Sequence, residues 1–285
     1  MEILAHIFEH TFIDTIKLLP FLFLTYLAME YIEHKAGKKT IGILLSSGGK
    51  GPIAGGILGV APQCGFSAAA ASLYSGGVIS VGTLLAVFLS TSDEMLPILI
   101  SQRVHWKTIA TILIGKVIVG VTAGILLDLA VRKFRSGEKR HLKIHDMCEH
   151  DHCHCEEGSI WKSAMIHSLH IFAFIFLVSY AVNLVVHTVG IEEIIATVSS
   201  YPVIGIFLTG LVGLIPNCAA SVAITTLYLQ GVLTVGCMFA GLLSCAGIGL
   251  LVLFKTNNNW KKNLTITAIL YGVSVAGGIL AEIIF

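Results

Sequence analysis

Apolar residues fill most of this chain in long runs, and short polar clusters separate one run from the next. An α-helix needs about 20 predominantly apolar residues to cross a bilayer, and several runs approach or reach that length. They are residues 18–32, 81–89 with 96–100, 109–131, 171–186, 234–254 and 264–285. Residues 1–17 show helical periodicity instead, which gives one apolar and one polar face. The pattern predicts an all-α integral membrane protein.

The second half of the chain repeats the first. Residues 59–82 reappear without a gap as residues 213–236, and this shift of 154 places Pro62-Gln63-Cys64 on Pro216-Asn217-Cys218. The first helix of each half aligns at a shift of 153. The arms on either side of each Pro-x-Cys tip have about ten residues, half of what a span requires, and proline interrupts a helix. We therefore predict a broken or re-entrant helix at each tip.

Each half has five segments and crosses the membrane an odd number of times, whether or not the tip forms a hairpin. The chain is thus predicted to contain two inverted five-segment repeats, residues 1–131 and 162–285, joined by a soluble loop, residues 132–161. Basic residues concentrate in that loop and in the linkers on its side, so the positive-inside bias places the loop in the cytoplasm and both termini outside. Inverted repeats with broken helices are typical of secondary transporters.

Composition supports the membrane assignment and narrows the function. Only 12% of the 285 residues are charged, against about 25% in soluble domains. The net charge of +1 does not bear on nucleic-acid binding, but no basic stripe is present. The lipid bilayer is the expected partner, and no nucleic acid is expected. Seven cysteines, four in apolar sequence, indicate thiols rather than a disulfide scaffold. The sequence lacks motifs for nucleotide binding, serine hydrolysis or zinc proteolysis, which predicts no enzyme and no required cofactor.

The two tips carry the first candidate chemistry. Gln63 and Cys64 recur in the second half as Asn217 and Cys218, so each tip offers an amide and a thiol. Together with carbonyl groups released by the helix breaks, these groups could coordinate a soft or borderline cation near the axis between the halves. The alternative is that proline and small residues only shape the break, with cysteine as a small apolar filler.

An acidic cluster, Ser92-Asp93-Glu94, interrupts an otherwise apolar span. Ionisable residues inside a membrane are costly and usually face a pathway, so this cluster is predicted to bind a cation or carry protons. Lys116 on the next span is a candidate pathway residue, or else a counter-ion that makes the acidic cluster structural. Further candidates for substrate binding, at matched positions of the two halves, are Glu30 and Asn183.

Polar residues also lie along the first helix of each half. Asp14 and Lys17 lie on the polar face of the N-terminal helix, and His167 with His170 occupies the matching part of the second half. Histidine changes charge near neutral pH, so these residues could relay protons or hold metal. A solvated face of an interfacial helix explains the first pair equally well.

The central loop is dense in metal ligands. Its spacing, Cys-x4-Cys-x-Cys, differs from the paired Cys-x2-Cys units of structural zinc sites. We predict a flexible tract that captures metal, and the alternative is an unliganded polar linker. The candidate ligands are Cys148, His150, His152, Cys153, His154 and Cys155.

Several of these motifs together resemble one family. They are Asp14-x-x-Lys17 with Pro20-Phe21-Leu22-Phe23, Ala61-Pro62-Gln63-Cys64-Gly65, Ser90-Thr91-Ser92-Asp93-Glu94, the His/Cys-rich loop and Ile215-Pro216-Asn217-Cys218. Over nearly its whole length the chain resembles the ten-transmembrane heavy-metal exporters, also labelled arsenic efflux or manganese transporter proteins. The resemblance implies efflux of a metal or metalloid.

The sequence thus predicts a secondary transporter for a transition-metal or heavy-metal ion, such as manganese, zinc or a similar divalent ion, in the cytoplasmic (inner) membrane. Efflux is the expected direction, proton exchange is one way to drive it, and a homodimer is compatible with the sequence. One alternative changes the cargo to a metalloid oxyanion or small organic anion, held by Lys17, Lys116 and helix N-termini. Another is a membrane-embedded metalloenzyme that uses His167, His170 and Glu94.

Overall fold

The computed structural model describes residues 50–61, 64–92, 95–134, 160–189 and 202–284, together with scattered positions between 8 and 27. Over these residues the chain is helical and contains no strand, which confirms the predicted all-α architecture. In chain order the helices are α1 (Gly51–Gly59), α2 (Cys64–Ser75), α3 (Val81–Ser90), α4 (Met95–Ser101), α5 (Trp106–Phe134), α6 (Ile160–Val189), α7 (Pro202–Gly213), α8 (Cys218–Leu229), α9 (Val235–Ser244), α10 (Ile248–Thr256) and α11 (Trp260–Ile284).

The helix boundaries follow the sequence repeat. Helices α2 and α8 start and end 154 residues apart, and so do α3 and α9. The same side-chain chemistry starts the latter two, because Ser80 accepts a hydrogen bond from the Thr83 amide and Thr234 accepts one from the Cys237 amide. The two halves therefore fold by the same local rules.

Among the described residues, five helical stretches are long and apolar enough to cross a membrane. They are Val81–Ser101, Trp106–Lys133, Ala164–Ala181, Val235–Thr256 and Trp260–Ile284. The first and fourth are mostly buried inside the protein, at 75% and 89%, whereas the second is only 22% buried. The stretches over α3–α4 and α9–α10 thus form the core, and α5 turns a wide apolar surface outward, as lipid contact requires.

Both core stretches are interrupted by a short non-helical segment. The sequence predicts a single span over residues 78–100, so the interruption there was not predicted. Helix α3 ends at Ser90 and α4 begins at Met95, while α9 ends at Ser244 and α10 begins at Ile248. In the second break Gly247 takes a positive φ of 53°, a conformation that favours glycine. Together with the breaks between α1 and α2 and between α7 and α8, this makes two breaks in the described part of each half.

Within each half, an outer helix crosses a core helix at very close range. A Cβ at Gly82 would overlap the Gly124 carbonyl oxygen, and a Cβ at Gly236 would lie 2.7 Å from the Gly278 carbonyl oxygen. These crossings tie α3 to α5 and α9 to α11, and α1 and α7 pack on the same core helices. Small residues at such crossings let helix backbones approach closely in a membrane. Three helices of each half thus form a tightly packed scaffold.

The remaining helices exchange partners between the halves. Helix α2 packs on α10, since Gly249 lies against Ser67 and the Ser75 and Thr256 hydroxyls are 2.6 Å apart. These contacts keep the same order along both helices, so α2 and α10 run parallel. Helix α8 contacts α4 of the first half, and it also contacts α9 of its own half. The two halves are therefore interlocked rather than merely adjacent.

The N-terminal segment packs on α6 through aromatic rings. Ring centroids lie 5.4 Å apart for Phe8 and Phe176, and 6.5 Å apart for Phe12 and Phe172. Further along the segment, Phe23 lies 5.8 Å from Trp161. Rising numbers on the segment meet falling numbers on α6, so the two run antiparallel.

Candidate functional site

The interior of the protein contains a polar region where the interrupted helices meet. In the first half, the Ser92 hydroxyl donates a hydrogen bond of 2.7 Å to the carbonyl oxygen of Val60. Val60 directly follows α1, and Ser92 lies in the break between α3 and α4. This bond joins the end of α1 to the second break of the same half, and both Thr91 and Ser92 are buried.

Lys116 connects this region to the second half. Its side chain is 1% exposed, and its ammonium donates to the carbonyl oxygens of Thr91, at the end of α3, and of Leu242, at 2.7 Å near the end of α9. Burying an unpaired charge costs several kcal/mol, so a buried ammonium needs such acceptors. Carbonyl oxygens at helix C-termini suit it, because they lack backbone partners and carry partial negative charge.

The second half contributes a matching set of groups. The Ser244 hydroxyl, at the end of α9, donates to the Gly210 carbonyl oxygen at 2.7 Å, near the end of α7. Asn217 is buried at the start of α8, where its side-chain oxygen accepts from the Ala219 amide at 3.3 Å. Cys245, in the break after α9, is also buried. The tip and the break therefore lie close together in this half as well.

Contacts at the start of α10 join the two halves at the interior polar region. A Cβ at Gly249 would lie 2.8 Å from the Phe88 ring and 2.8 Å from the Ser67 Cβ. Phe88 is near the end of α3 and Ser67 is in the first turn of α2, so three helix ends meet there. The breaks thus form one interior region to which both halves contribute.

The structure places three predicted site residues in this region, namely Ser92, Lys116 and Asn217. Cys64 and Cys218 begin α2 and α8 at the two tips, although their side chains lie outside the described residues. Also outside them are Gln63, Asp93, Glu94, Glu30, Asp14, the side chains of His167 and Asn183, and the loop ligands Cys148, His150, His152, Cys153, His154 and Cys155. Their predicted roles stay predictions.

Two other predicted residues lie away from the interior. Lys17 and His170 are both exposed. On α6 the buried side is formed by other residues, including Ser168, Ile171 and Ile175, and His170 faces away from them. In the part of the chain that the structure describes, no group of three or more His, Cys, Asp or Glu side chains comes together. The polar groups described at the site are mainly backbone carbonyls, hydroxyls, an amide and an ammonium.

Two carboxylates have a role that the sequence reasoning missed. The Asp128 carboxylate, buried on α5, accepts hydrogen bonds from the Ser80 hydroxyl at 2.6 Å and the Gly82 amide at 3.0 Å. At the matched position of α11, Glu282 accepts from the Gly236 amide at 2.7 Å. Each acid thus binds the N-terminus of the core helix beside it. The signal was present in the sequence, since the two acids are 154 residues apart.

A comparison with protein families matches residues 2–207 to the model described as "Putative, 10TM heavy-metal exporter". The chain belongs to this family. Membership among the heavy-metal exporters, together with the apolar helices, makes it a multi-pass membrane protein of a transporter family. No curated protein and no solved structure matches the chain.

Proposed function

We propose that this exporter-family protein is a secondary transporter that moves a transition-metal or heavy-metal cation out of the cytoplasm, across the inner membrane. The observation that carries the proposal is the interior polar region, where helix breaks from both halves meet and Lys116 bonds to a carbonyl group of each half. Unpaired backbone at membrane depth survives only inside protein or beside a water-filled cavity. Broken helices that meet between two repeats are the usual binding site of secondary transporters.

Antiparallel repeats are part of the proposal, and the aromatic contacts support them. At the shift of 153, Phe8 corresponds to Trp161 and Phe23 corresponds to Phe176. The observed pairs are Phe8 with Phe176 and Phe23 with Trp161, so each contact is the counterpart of the other. Such reciprocal contacts are typical of a two-fold relation. Because the paired helices are antiparallel, the axis would be perpendicular to them and would lie in the membrane plane.

The ligands in this proposal come from both the tips and the acidic cluster. Cys64 and Cys218, with their neighbouring amides, would bind a soft or borderline ion. Asp93 and Glu94, which directly precede α4, would supply negative charge or exchange protons for metal. The loop histidines and cysteines would collect the metal on the cytoplasmic side.

The scaffolds and the exchanged helices suggest how access alternates. The α3–α5 and α9–α11 pairs cross backbone to backbone and would move as units. The pairs α2–α10 and α4–α8 connect the two scaffolds beside the breaks. Rocking of one scaffold against the other about these pairs would open the interior region to each side in turn.

Metal flux into proteoliposomes containing the purified protein tests the proposal. We expect saturable transport of one ion among manganese, zinc, iron and cadmium, and its loss in the Cys64→Ser/Cys218→Ser double variant. Arsenite in the same screen tests the metalloid cargo. A folded protein that moves none of these ions would refute metal transport. Flux that persists in the double variant would remove the tips from the site.

Anion transport on the same fold is the second candidate, because α2 and α10 run parallel with both N-termini at the interior region. Helix N-termini carry partial positive charge and favour anions. The variant Asp93→Asn separates the two cargoes. A cation carrier is expected to lose transport, whereas an anion carrier should keep or gain it.

A further inference from the structure

Three contacts identify which helix ends lie at one end of the bundle. The hydroxyl groups of Ser75 and Thr256, the last residues of α2 and α10, are 2.6 Å apart. The Ser80 hydroxyl, just before α3, donates to the Asp128 carboxylate near the end of α5. Gly51, the first residue of α1, packs against the first turn of α3. Because α11 begins shortly after α10 ends, its start belongs to the same end of the bundle.

Exposed basic side chains concentrate at this end, which we call the basic end. Among the described residues of α1–α5, α7–α11 and their turns, six lie here, namely Lys50, Arg132, Lys133, Lys255, Lys261 and Lys262. The Asp128 carboxylate at the same end is buried and accepts two hydrogen bonds. The start of α5 and the end of α11 mark the opposite end, where the same part of the chain has exposed Arg103 and Lys107 and the partly buried Glu282. The positive charge of the bundle is therefore strongly one-sided.

Two matched tryptophans place both ends at the level of a membrane surface. Trp260, at the start of α11, and Trp106, at the start of α5, are each 69% exposed. Each begins a helical stretch that is long and apolar enough to cross a membrane. Tryptophan is enriched at the membrane–water interface, beside the lipid headgroups. Lys261 and Lys262 directly follow Trp260 and are exposed, so their long side chains can reach the headgroup phosphates.

We propose that the basic end binds the headgroups of anionic phospholipids, and that Lys261 and Lys262 beside Trp260 form the centre of this surface. Clusters of Lys and Arg next to a membrane-spanning helix attract anionic lipids and hold them close to the protein. Here the cluster combines residues from both halves, which only the fold brings to one end. The surface lies on the outside of the bundle, so this inference goes beyond the proposed transport function and does not depend on it.

Quenching of tryptophan fluorescence by brominated lipids tests the proposal, because Trp260 and Trp106 report on the two ends. The full chain is reconstituted into phosphatidylcholine vesicles that contain a fixed fraction of brominated phosphatidylglycerol or of brominated phosphatidylcholine. The variant Trp106→Phe/Trp161→Phe keeps Trp260 as the reporter, and Trp161→Phe/Trp260→Phe keeps Trp106. We expect about threefold enrichment of phosphatidylglycerol around Trp260, and a smaller enrichment or none around Trp106. The enrichment around Trp260 should fall as the salt concentration rises.

Charge removal at each end gives the second readout, in the variant that keeps Trp260. Lys261→Gln/Lys262→Gln should lower the enrichment of phosphatidylglycerol around Trp260 by about half or more. Arg103→Gln/Lys107→Gln is the matched control, because it also removes two exposed positive charges, but at the opposite end. It should leave the enrichment around Trp260 unchanged. All four side chains are exposed, so both double variants are expected to unfold at the same temperature as the parent protein.

Three results would each overturn the inference. They are equal quenching of Trp260 by the two brominated lipids, equal enrichment of phosphatidylglycerol around Trp106 and Trp260, and an enrichment around Trp260 that survives Lys261→Gln/Lys262→Gln. The comparison of the two tryptophans needs no lysine variant, so it tests the inference even if a double variant folds poorly. None of these measurements involves a metal ion, and their outcome is therefore independent of whether the protein transports one.

Discussion

The Asp128→Ala substitution measures how much the hydrogen bonds between the Asp128 carboxylate on α5 and the start of α3 stabilise the protein. The carboxylate is 4% exposed and accepts two hydrogen bonds, from the Ser80 hydroxyl and the Gly82 amide. After the substitution Ser80 still has Thr83 as a partner at 2.7 Å. The Gly82 amide, in the first turn of α3, loses its carboxylate acceptor in a buried position.

The magnitude follows from the number and kind of the bonds. Hydrogen bonds to charged groups contribute about 1.5–3 kcal/mol each in soluble proteins. Interhelical bonds in membrane proteins are weaker, averaging about 0.6 and reaching about 1.7 kcal/mol. Two bonds to a buried carboxylate should therefore contribute about 3 kcal/mol. At roughly 2–4 °C per kcal/mol, the unfolding temperature of Asp128→Ala should fall by about 6–12 °C.

The repeat supplies the control. Glu282 occupies the matched position on α11 but is only partly buried, and one hydrogen bond is described for it, to the Gly236 amide. Glu282→Ala should cost about 1 kcal/mol and lower the unfolding temperature by roughly 3 °C. Thermal unfolding in detergent, followed with a thiol-reactive dye that reports the exposure of buried cysteines, measures both. Equal shifts, or a change below about 1 °C for Asp128→Ala, would refute the reasoning.

Three further predictions concern packing, the bridging lysine and topology. Gly82→Ala should prevent correct folding because the new methyl group overlaps a backbone carbonyl of α5. Gly272→Ala is the control and should behave like the wild type, because nothing lies within 4 Å of a Cβ at that position. Expression level and gel filtration compare the two variants. Lys116→Met should lower the unfolding temperature by several degrees, since two buried carbonyl groups lose their donor, and an unchanged value would contradict the bridge. Lys107→Cys and Lys261→Cys place a thiol at matched positions of the two halves. In a background without loop cysteines, these thiols should react with an impermeant maleimide from opposite sides of the membrane. Labelling of both from the same side would contradict inverted repeats.

The matched helix boundaries in the two halves are the part of the fold that the sequence predicted best. Because the Pro-x-Cys tips recur at one shift, the starts of α2 at Cys64 and of α8 at Cys218 followed from the sequence. Local patterns of this kind survive because proline and the apolar arms act within a few residues. The breaks after Ser90 and Ser244 were not predicted. The polar residues after Ser90 were interpreted as an acidic cluster inside one span, and residues 234–254 form one apolar run, so neither pattern by itself requires a break.

Partner choice was beyond the sequence for the same reason. The sequence predicts a short helical arm on each side of a tip, but it does not say that α2 meets α10 rather than a helix of its own half. Lys116 was predicted as a pathway residue or counter-ion, and its bond to Leu242 depends on a packing arrangement that joins the halves. The position of His170 on the exposed side of α6 is likewise decided by packing, which the local sequence does not determine.

Because α2 packs on α10 of the second half, the contacts of α2 cannot be completed until the second half has been synthesised. Ser67 of α2 contacts Gly249 of α10, a residue that the ribosome adds 182 positions later. At about 5–20 residues per second, α2 waits roughly 10–40 s in the bilayer before its partner emerges. During that interval the carbonyl ends of the first half lack the groups of the second half that cover them. We expect a nascent chain in this state to be vulnerable to membrane proteases, so translation speed through the second half should influence yield.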